Sequence, residues 1–187
     1  MASRTQIVCL HEGEKGRSVD PVFINKLIKT LDPAWIRPFR GSNYIRLVDC
    51  GGRTSLIRAV PEQVRICAQA GGDTTLMVWA DIDDDHSDAD SLKHTFWLEA
   101  QRQETTRELF DQVVFIFAKD RIENWIEFLQ TGSTDESVEG PRVTNRAAAD
   151  AARELAHRCQ KQTAGPALPP SLEWSCKSWR GLVERMR

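Results

Sequence analysis

The sequence predicts an α/β fold in which a mostly parallel, four-stranded sheet is flanked by helices and followed by a helical C-terminal extension. Four short apolar runs, each bounded by glycine, polar or charged residues, have the composition of buried strands. Longer segments with apolar residues at helical spacing separate these runs, and this alternation is typical of parallel strand–helix–strand units. We therefore divide the chain into an α/β core, residues 1–130, and a helical extension packed on it, residues 131–187.

Each element is predicted from its apolar pattern and from the residues at its ends. The strands are Thr5–His11, Tyr44–Cys50, Thr74–Trp79 and Val113–Ala118. The helices are Pro21–Leu31, Thr54–Ala70, Ala89–Leu109, Arg121–Gln130, Thr144–Gln162 and Ser171–Met186. Asp20 before Pro21 is a favourable start for the first helix, and Pro61 is expected to kink or divide the second. The segment 131–142 is predicted to be a surface loop or a flexible insertion.

Composition excludes several classes of protein. The 187 residues carry 25 Lys and Arg against 27 Asp and Glu, a formal net charge of -2, so contact with a polyanion must be local. The N-terminus has no leader pattern, and no stretch approaches the roughly 18 apolar residues of a membrane span. We expect a cytoplasmic protein with no membrane partner.

Cysteine and histidine spacing argues against zinc or redox chemistry. The five cysteines are scattered, without a CxxC pair, and Cys9 and Cys50 lie in apolar runs typical of core residues. His86 and His94 both lack the i, i+4 partner of a zinc-binding helix, so we predict that they are surface histidines.

The most acidic stretch of the chain follows the third predicted strand. In the segment VWADIDDDHS an apolar run ends in four aspartates, which are Asp81, Asp83, Asp84 and Asp85. Asp81 and Asp83 are two residues apart, so in extended backbone both carboxylates point to one side. Hard cations such as Mg²⁺ take oxygen ligands of this kind. The alternative is a solvated acidic loop whose later aspartates cap the next helix.

Acids also follow the first and fourth strands. Glu12 follows the first, Asp120 and Glu123 follow the fourth, and the second ends in a glycine pair that lets backbone amides approach a phosphate or an acidic loop. A parallel sheet gathers these ends at one edge. Crowded carboxylates repel one another unless a cation neutralises them, which predicts a site for one or two divalent ions. Asp20 and Glu123 have second interpretations, as a helix N-cap and as a partner of the helix dipole.

The order of these motifs resembles the TOPRIM fold, shared by topoisomerases, primases and the overcoming-lysogenization-defect (OLD) family of nucleases. Members have a glutamate after the first strand and a DxD after the third, matched by Glu12 in IVCLHEG and by Asp81 and Asp83 in VWADID. Asp20 in VDPVFINKLI resembles the second acid of the OLD-like branch, and CGGRTSL is similar to its glycine-containing turn. FAKDRIENWI, with Glu123, resembles a segment of small stand-alone TOPRIM-like proteins of bacterial defence loci.

The resemblance covers about residues 6–130 and implies a nuclease that uses Mg²⁺ or Mn²⁺, with two ions about 3.5 to 4 Å apart. The implied catalytic residues are Glu12, Asp81, Asp83 and Lys119. The predicted metal ligands are Glu12, Asp20, Asp81, Asp83 and Glu123, with Asp85 as an outer member of the site. Lys119 is the nearest match to a lysine late in the OLD-like fold, and Arg121 is a further candidate for neutralising phosphate charge. The only tyrosine, Tyr44, starts a strand, so topoisomerase chemistry is not expected.

Two other functions fit parts of the pattern. A TOPRIM-like regulatory or interaction subunit of an ATPase complex would suit a small, near-neutral chain without a Walker motif. A phosphatase with Asp81 as nucleophile would also use a strand-end DxD, but the later Thr or Ser and Lys motifs are not evident. The expected partners are DNA or RNA and an ATPase protein, and the chain could also form an oligomer.

Overall fold

The computed structural model describes residues 6–13, 18–31, 45–70, 74–161 and 165–185, and it confirms the α/β class with a wholly parallel sheet. The strands are β1 (Gln6–His11), β2 (Ile45–Asp49), β3 (Thr74–Ile82) and β4 (Val114–Lys119), in the order β2-β1-β3-β4. The helices are α1 (Asp20–Leu31), α2 (Arg53–Ala70), α3 (Ala89–Arg102), α4 (Arg107–Phe110), α5 (Ile122–Thr131), α6 (Asn145–Lys161) and α7 (Pro170–Arg185). The predicted element ends at Thr5, Tyr44, Gln162 and Met186 lie outside the described residues.

The sheet has a hydrophobic core on each face, because side chains alternate along its strands. Met77 and Trp79 of β3 pack with α1, α5 and α6, whereas Val78 packs with α2, α3 and α4. Because Asp81 lies two residues after Trp79 in the same strand, its side chain lies on the face of the sheet that carries α1 and α5. The strand therefore fixes the side of the sheet from which its terminal carboxylate acts.

Two helices differ from the sequence prediction. The predicted helix Ala89–Leu109 is two helices, because α3 ends at Arg102 and Glu104 adopts a left-handed backbone conformation with φ of 57° before α4 begins. Pro61 is buried inside α2, which nevertheless runs as one helix of 18 residues. None of the helices in the described ranges has both the length and the apolar character needed to cross a membrane.

Helix α7 covers the outer edge of β4 with two serines four residues apart. The Ser175 hydroxyl accepts a hydrogen bond from the Phe117 N–H at 2.9 Å and donates one to the Phe117 carbonyl at 3.0 Å. Ser171 Oγ accepts from the Lys119 N–H at 3.1 Å. These hydroxyls satisfy backbone groups that an additional strand would otherwise bind, so the edge is closed to strand pairing.

The loop between α5 and α6 is anchored to its neighbours. Asn124 Nδ2, at the start of α5, donates to the Val138 carbonyl at 3.1 Å, and Glu136 accepts from the Ser171 N–H at 3.2 Å. A Cβ on Gly140 would lie 2.5 Å from Asn124 Oδ1, so only glycine permits this close approach. The segment predicted to be a surface loop or flexible insertion is therefore fastened to both α5 and α7.

Candidate carboxylate site

The ends of the two central strands, β1 and β3, form the centre of the candidate site. Glu12 follows β1 directly, and Asp81 is the second-last residue of β3, paired with Ala118 of β4. The Asp81 N–H donates to Glu12 Oε1 at 3.3 Å. The strand prediction ended at Trp79, whereas pairing with β4 extends β3 over Asp81 and gives that side chain a fixed direction.

A small recess lies between these strand ends and α1, with room for about one water molecule or ion. Its lining residues are Glu12, Asp20, Trp79, Ala80, Asp81, Ala118 and Ile122. Asp20 belongs to the first turn of α1, and its backbone N–H donates to Ser18 Oγ at 3.1 Å. A Cβ on Gly13 would lie 3.0 Å from Asp20 Oδ2, so this glycine allows α1 to begin close against the end of β1.

Four carboxylates are close enough to perturb one another. Burial raises the pKa of Asp81 well above its usual value, and the charges of Asp20, Glu12 and Glu123 raise it further, opposed by Arg53. The pKa values of Glu12, Asp20 and Glu123 are also raised, in each case chiefly by burial. Full ionisation of this group is therefore unfavourable without compensating positive charge.

The nearest positive charge is Arg53, which sequence reasoning missed. Its Nε lies 2.5 Å from Glu12 Oε1, its Nη1 lies 3.0 Å from Asp83 Oδ2, and its Nη2 donates to the Asp81 carbonyl. Burial lowers the pKa of Arg53, but its bond and attraction to Glu12 outweigh this effect, so the pKa is raised and the guanidinium stays charged. One side chain thus links the ends of β1 and β3.

The turn between β2 and α2 places Arg53 at the site. Gly51 and Gly52 have φ of 67° and 118°, a region that side chains disfavour, and the Gly51 N–H donates to Asp49 Oδ1 at 2.8 Å. The helix then begins at Arg53 itself. The sequence predicts that the glycine pair forms a turn close to a phosphate or an acidic loop, and the arginine directly after the pair is the sequence signal for this contact.

Asp83 has a different environment from Asp81. Its side chain is 48% exposed, and it lies in the turn that follows β3. Burial acts to raise the pKa of Asp83, but its hydrogen bond with His86 and the charge of Arg53 outweigh this effect, so the pKa is lowered. His86 Nδ1 lies 3.3 Å from Asp83 Oδ1, and Nε2 lies 3.0 Å from Thr95 Oγ1. His86 is thus half-buried and links Asp83 to Thr95, so the prediction of a surface histidine is wrong at this position. His94 is exposed, as predicted.

Three predicted residues stand apart from the recess. Asp85 is exposed in the turn and has no hydrogen bond or ion pair with another described residue. Lys119 is half-buried, and the alternation of β4 assigns it to the opposite face from Ala118, which lines the recess. Arg121 is 55% exposed and pairs with Glu139 at 2.6 Å. The structure therefore gathers Glu12, Asp20, Asp81 and Glu123, joins Asp83 to them through Arg53, and leaves out Asp85 and Lys119.

Two buried ring nitrogens, on paired residues of β1 and β3, have no hydrogen-bond partner among the described residues. They are Trp79 Nε1, on a side chain that lines the recess, and His11 Nδ1, on a side chain that is 3% exposed and feels the charge of Asp20. Burial lowers the pKa of His11, opposed by Asp20 and Asp49. The indole N–H of Trp79 is a donor, and burying it without a partner is costly.

The donor chemistry fits a hard divalent cation, since the oxygen ligands preferred by Mg²⁺ and Mn²⁺ surround the recess. In the described part of the chain, however, no three or more His, Cys, Asp and Glu side chains form a ready metal-binding group. The guanidinium of Arg53 lies between Glu12 and Asp83, two of the ligands predicted from the sequence. The carboxylates are therefore assembled at one edge of the sheet and bridged by an arginine.

Comparison with known proteins finds no family model, no curated protein and no solved structure that matches this chain. Its function is therefore argued from the geometry and charge of the site.

Proposed function

We propose that this protein is a divalent-metal-dependent nuclease that cleaves phosphodiester bonds of DNA or RNA. One observation carries the proposal: Glu12, Asp20, Asp81 and Glu123 share a partly buried site at the carboxyl ends of parallel strands, and all four have raised pKa values. Perturbed carboxylates concentrate at functional sites, and this edge of a parallel sheet is where ligands bind. The motif resemblance to TOPRIM and OLD-family proteins supports a cytoplasmic role as effector of an antiviral defence system.

The residues have distinct roles in this proposal. Glu12, Asp81 and Asp83 would hold Mg²⁺ or Mn²⁺, and Asp20 and Glu123 would complete a second position. A bound divalent ion would supply an activated water and stabilise the leaving oxygen of the phosphodiester. Asp81 is held by the β3 backbone and Glu12 by the Asp81 N–H, so both carboxylates sit on rigid elements before substrate arrives.

The phosphate-facing cation is assigned to Arg53 instead of Lys119 or Arg121. Arg53 contacts the carboxylate site directly, whereas Arg121 is engaged with Glu139 and Lys119 belongs to the other face of β4. A guanidinium offers paired donors that match two phosphate oxygens, and it remains charged at any physiological pH.

The test is cleavage of plasmid, single-stranded DNA and tRNA in Mg²⁺, Mn²⁺ or EDTA, alone and with the product of the neighbouring gene. The wild-type protein should cleave at least one substrate only with a divalent ion, and Asp81→Asn should lose that cleavage. Asp84→Asn, at an exposed position in the following turn, is the matched control and should retain it. Metal-dependent cleavage that persists in Asp81→Asn would overturn the assignment.

The second candidate is a regulatory subunit of an ATPase complex without its own catalysis. The observation in its favour is Arg53, which already neutralises Glu12 and Asp83 from within the chain. Such an ion-pair network can serve as a structural feature. Copurification with an ATPase, together with no heat of Mg²⁺ or Mn²⁺ binding in calorimetry, would favour this function over the nuclease.

A further inference from the structure

Arg53 occupies the space between two carboxylates that belong to neighbouring chain segments. Its guanidinium contacts Glu12 at 2.5 Å on one side and Asp83 at 3.0 Å on the other, and it also binds the Asp81 carbonyl. Glu12 and Arg53 are both largely buried, with 18% and 17% of their side chains exposed. The guanidinium therefore contacts two carboxylates and one carbonyl of the chain, although its Nη1 makes no hydrogen bond with a described residue.

A divalent ion bound by Glu12 and Asp83 would need the same oxygens. Mg²⁺ binds carboxylate oxygens at about 2.0–2.1 Å, so an ion between Glu12 and Asp83 leaves no room for the guanidinium nitrogens now in contact with them. Two positive groups at such short separation would also repel one another in this partly buried region.

We infer that Arg53 is an internal counter-cation that a divalent ion must displace, so that ion and guanidinium bind the Glu12–Asp83 pair in a mutually exclusive way. This inference rests on the proposed metal-dependent function, and it assigns Arg53 a regulatory effect on metal affinity. Arg53 stabilises the ion-free protein and weakens metal binding by competition.

The surroundings of Arg53 allow this exchange. Asp83 is 48% exposed, so the contact on its side opens toward solvent, while the Glu12 contact is the more buried one. Apart from the glycines themselves and their chain neighbours, no described heavy atom lies within 4 Å of the position that a Cβ would occupy on Gly51 or Gly52. Release of the guanidinium would therefore begin at the more exposed contact, the one with Asp83.

The test measures metal binding instead of activity. Titration calorimetry with MgCl₂ and MnCl₂ is performed on the full-length wild type, Arg53→Gln and Arg58→Gln, and thermal unfolding is recorded in EDTA and in MnCl₂. Arg58 is exposed on the same helix, which makes Arg58→Gln the matched control. Arg53→Gln should bind the ion about tenfold more tightly or better, because competition is removed. It should also unfold at a lower temperature in EDTA and recover in MnCl₂, while Arg58→Gln follows the wild type.

The outcomes separate this inference from the proposed function. If wild type and Arg53→Gln bind the ion equally, or if the variant binds more weakly, the competition is wrong and the metal site stands. If neither protein binds an ion, the proposed function and the inference fail together. If only the variant binds, competition is supported.

A measurement on the wild-type protein covers the case in which Arg53→Gln does not fold. Arg53→Lys, which keeps the charge but lacks the planar fork, identifies the Arg53 Nε–H resonance by its loss from the NMR spectrum. Saturation with Mg²⁺ should move this resonance away from its Glu12-bonded position. An unchanged resonance at saturating Mg²⁺, with binding verified by calorimetry, would overturn the inference.

Discussion

Replacing Asp81 with asparagine should make the protein more stable at neutral pH while removing its proposed activity. Burial and the charges of Asp20, Glu12 and Glu123 raise the pKa of Asp81, so its ionised form is held against a free-energy cost. Asparagine has nearly the same volume and carries no charge. The structure records no hydrogen bond to the Asp81 carboxylate among the described residues, so the substitution breaks none of the recorded contacts.

The stability gained by Asp81→Asn is calculated from the pKa shift of Asp81. Each pKa unit above the unfolded value corresponds to about 1.4 kcal/mol of destabilisation at a pH where the carboxylate is ionised. For a domain of this size 1 kcal/mol moves the melting temperature by about 2–4 °C, so each unit predicts a rise of about 3–6 °C in Asp81→Asn.

The direction of the Asp81 pKa shift also predicts how the stability of the protein depends on pH. Because the folded-state pKa of Asp81 is higher than its unfolded value, the folded state binds the proton more tightly. Its stabilising effect is complete below the unfolded value of about 3.9 and is lost as pH rises through the folded-state pKa. The advantage of Asp81→Asn should therefore be greatest at neutral pH and should shrink as pH falls toward 4.

The assay is urea unfolding of wild type, Asp81→Asn and Asp84→Asn in EDTA at several pH values between 4 and 7.5. Asp84→Asn, at an exposed position, controls for the general effect of removing one negative charge. A variant that is less stable than wild type at pH 7.5, or an advantage that does not depend on pH, would refute the idea that this carboxylate is held at a cost.

Two further predictions concern the loop between α5 and α6 and the contact of α7 with the outer strand β4. Gly140→Ala should destabilise the protein by about 1–3 kcal/mol in urea unfolding, since its Cβ would lie 2.5 Å from Asn124 Oδ1, whereas Gly165→Ala, with 3.7 Å to its nearest neighbour, should change little. Equal effects of the two substitutions would contradict this reasoning. Ser171→Ala should cost about 2–4 kcal/mol and alter indole fluorescence, because the Trp125 Nε1–H and a backbone N–H lose their shared acceptor. Wild-type stability of Ser171→Ala would show that other groups replace the hydroxyl.

The strands and most helices could be predicted from sequence because apolar periodicity reports burial directly. The end of β3 could not, since Asp81 is polar and its strand conformation depends on pairing with Ala118 of β4. The break after α3 was also hidden. The segment contains neither glycine nor proline, and Glu104 takes up a left-handed conformation that its residue type does not announce.

The carboxylates of the candidate site could be predicted because parallel strands place their ends at one edge, a rule that needs only the order of elements. Arg53 could not be ranked in this way, because its partner Glu12 lies 41 residues away and its direction depends on the adjacent pairing of β1, β2 and β3. His86 was missed for a related reason, since its contacts arise from a turn that brings it back to Asp83.

Glu12 and Arg53 are best examined as a pair, because each has a buried charge that the other compensates. Burial raises the pKa of Glu12 despite the attraction of Arg53, whereas contact with Glu12 and Asp83 raises the pKa of Arg53, so each buried charge depends on the other. Glu12→Gln alone removes one of the negative charges that neutralise the buried guanidinium. Arg53→Gln alone removes the positive charge that neutralises the carboxylates. Both single variants should therefore be destabilised in EDTA.

The double variant Glu12→Gln/Arg53→Gln should lose less stability than the sum of the single variants, with a coupling of about 0.5–3 kcal/mol from a double-mutant cycle in urea. Strict additivity would mean that the short contact between Glu12 and Arg53 contributes nothing in solution. Such a result would also remove the basis for competition between Arg53 and a divalent ion. A measured coupling would show that the contact between Glu12 and Arg53 contributes to stability in solution.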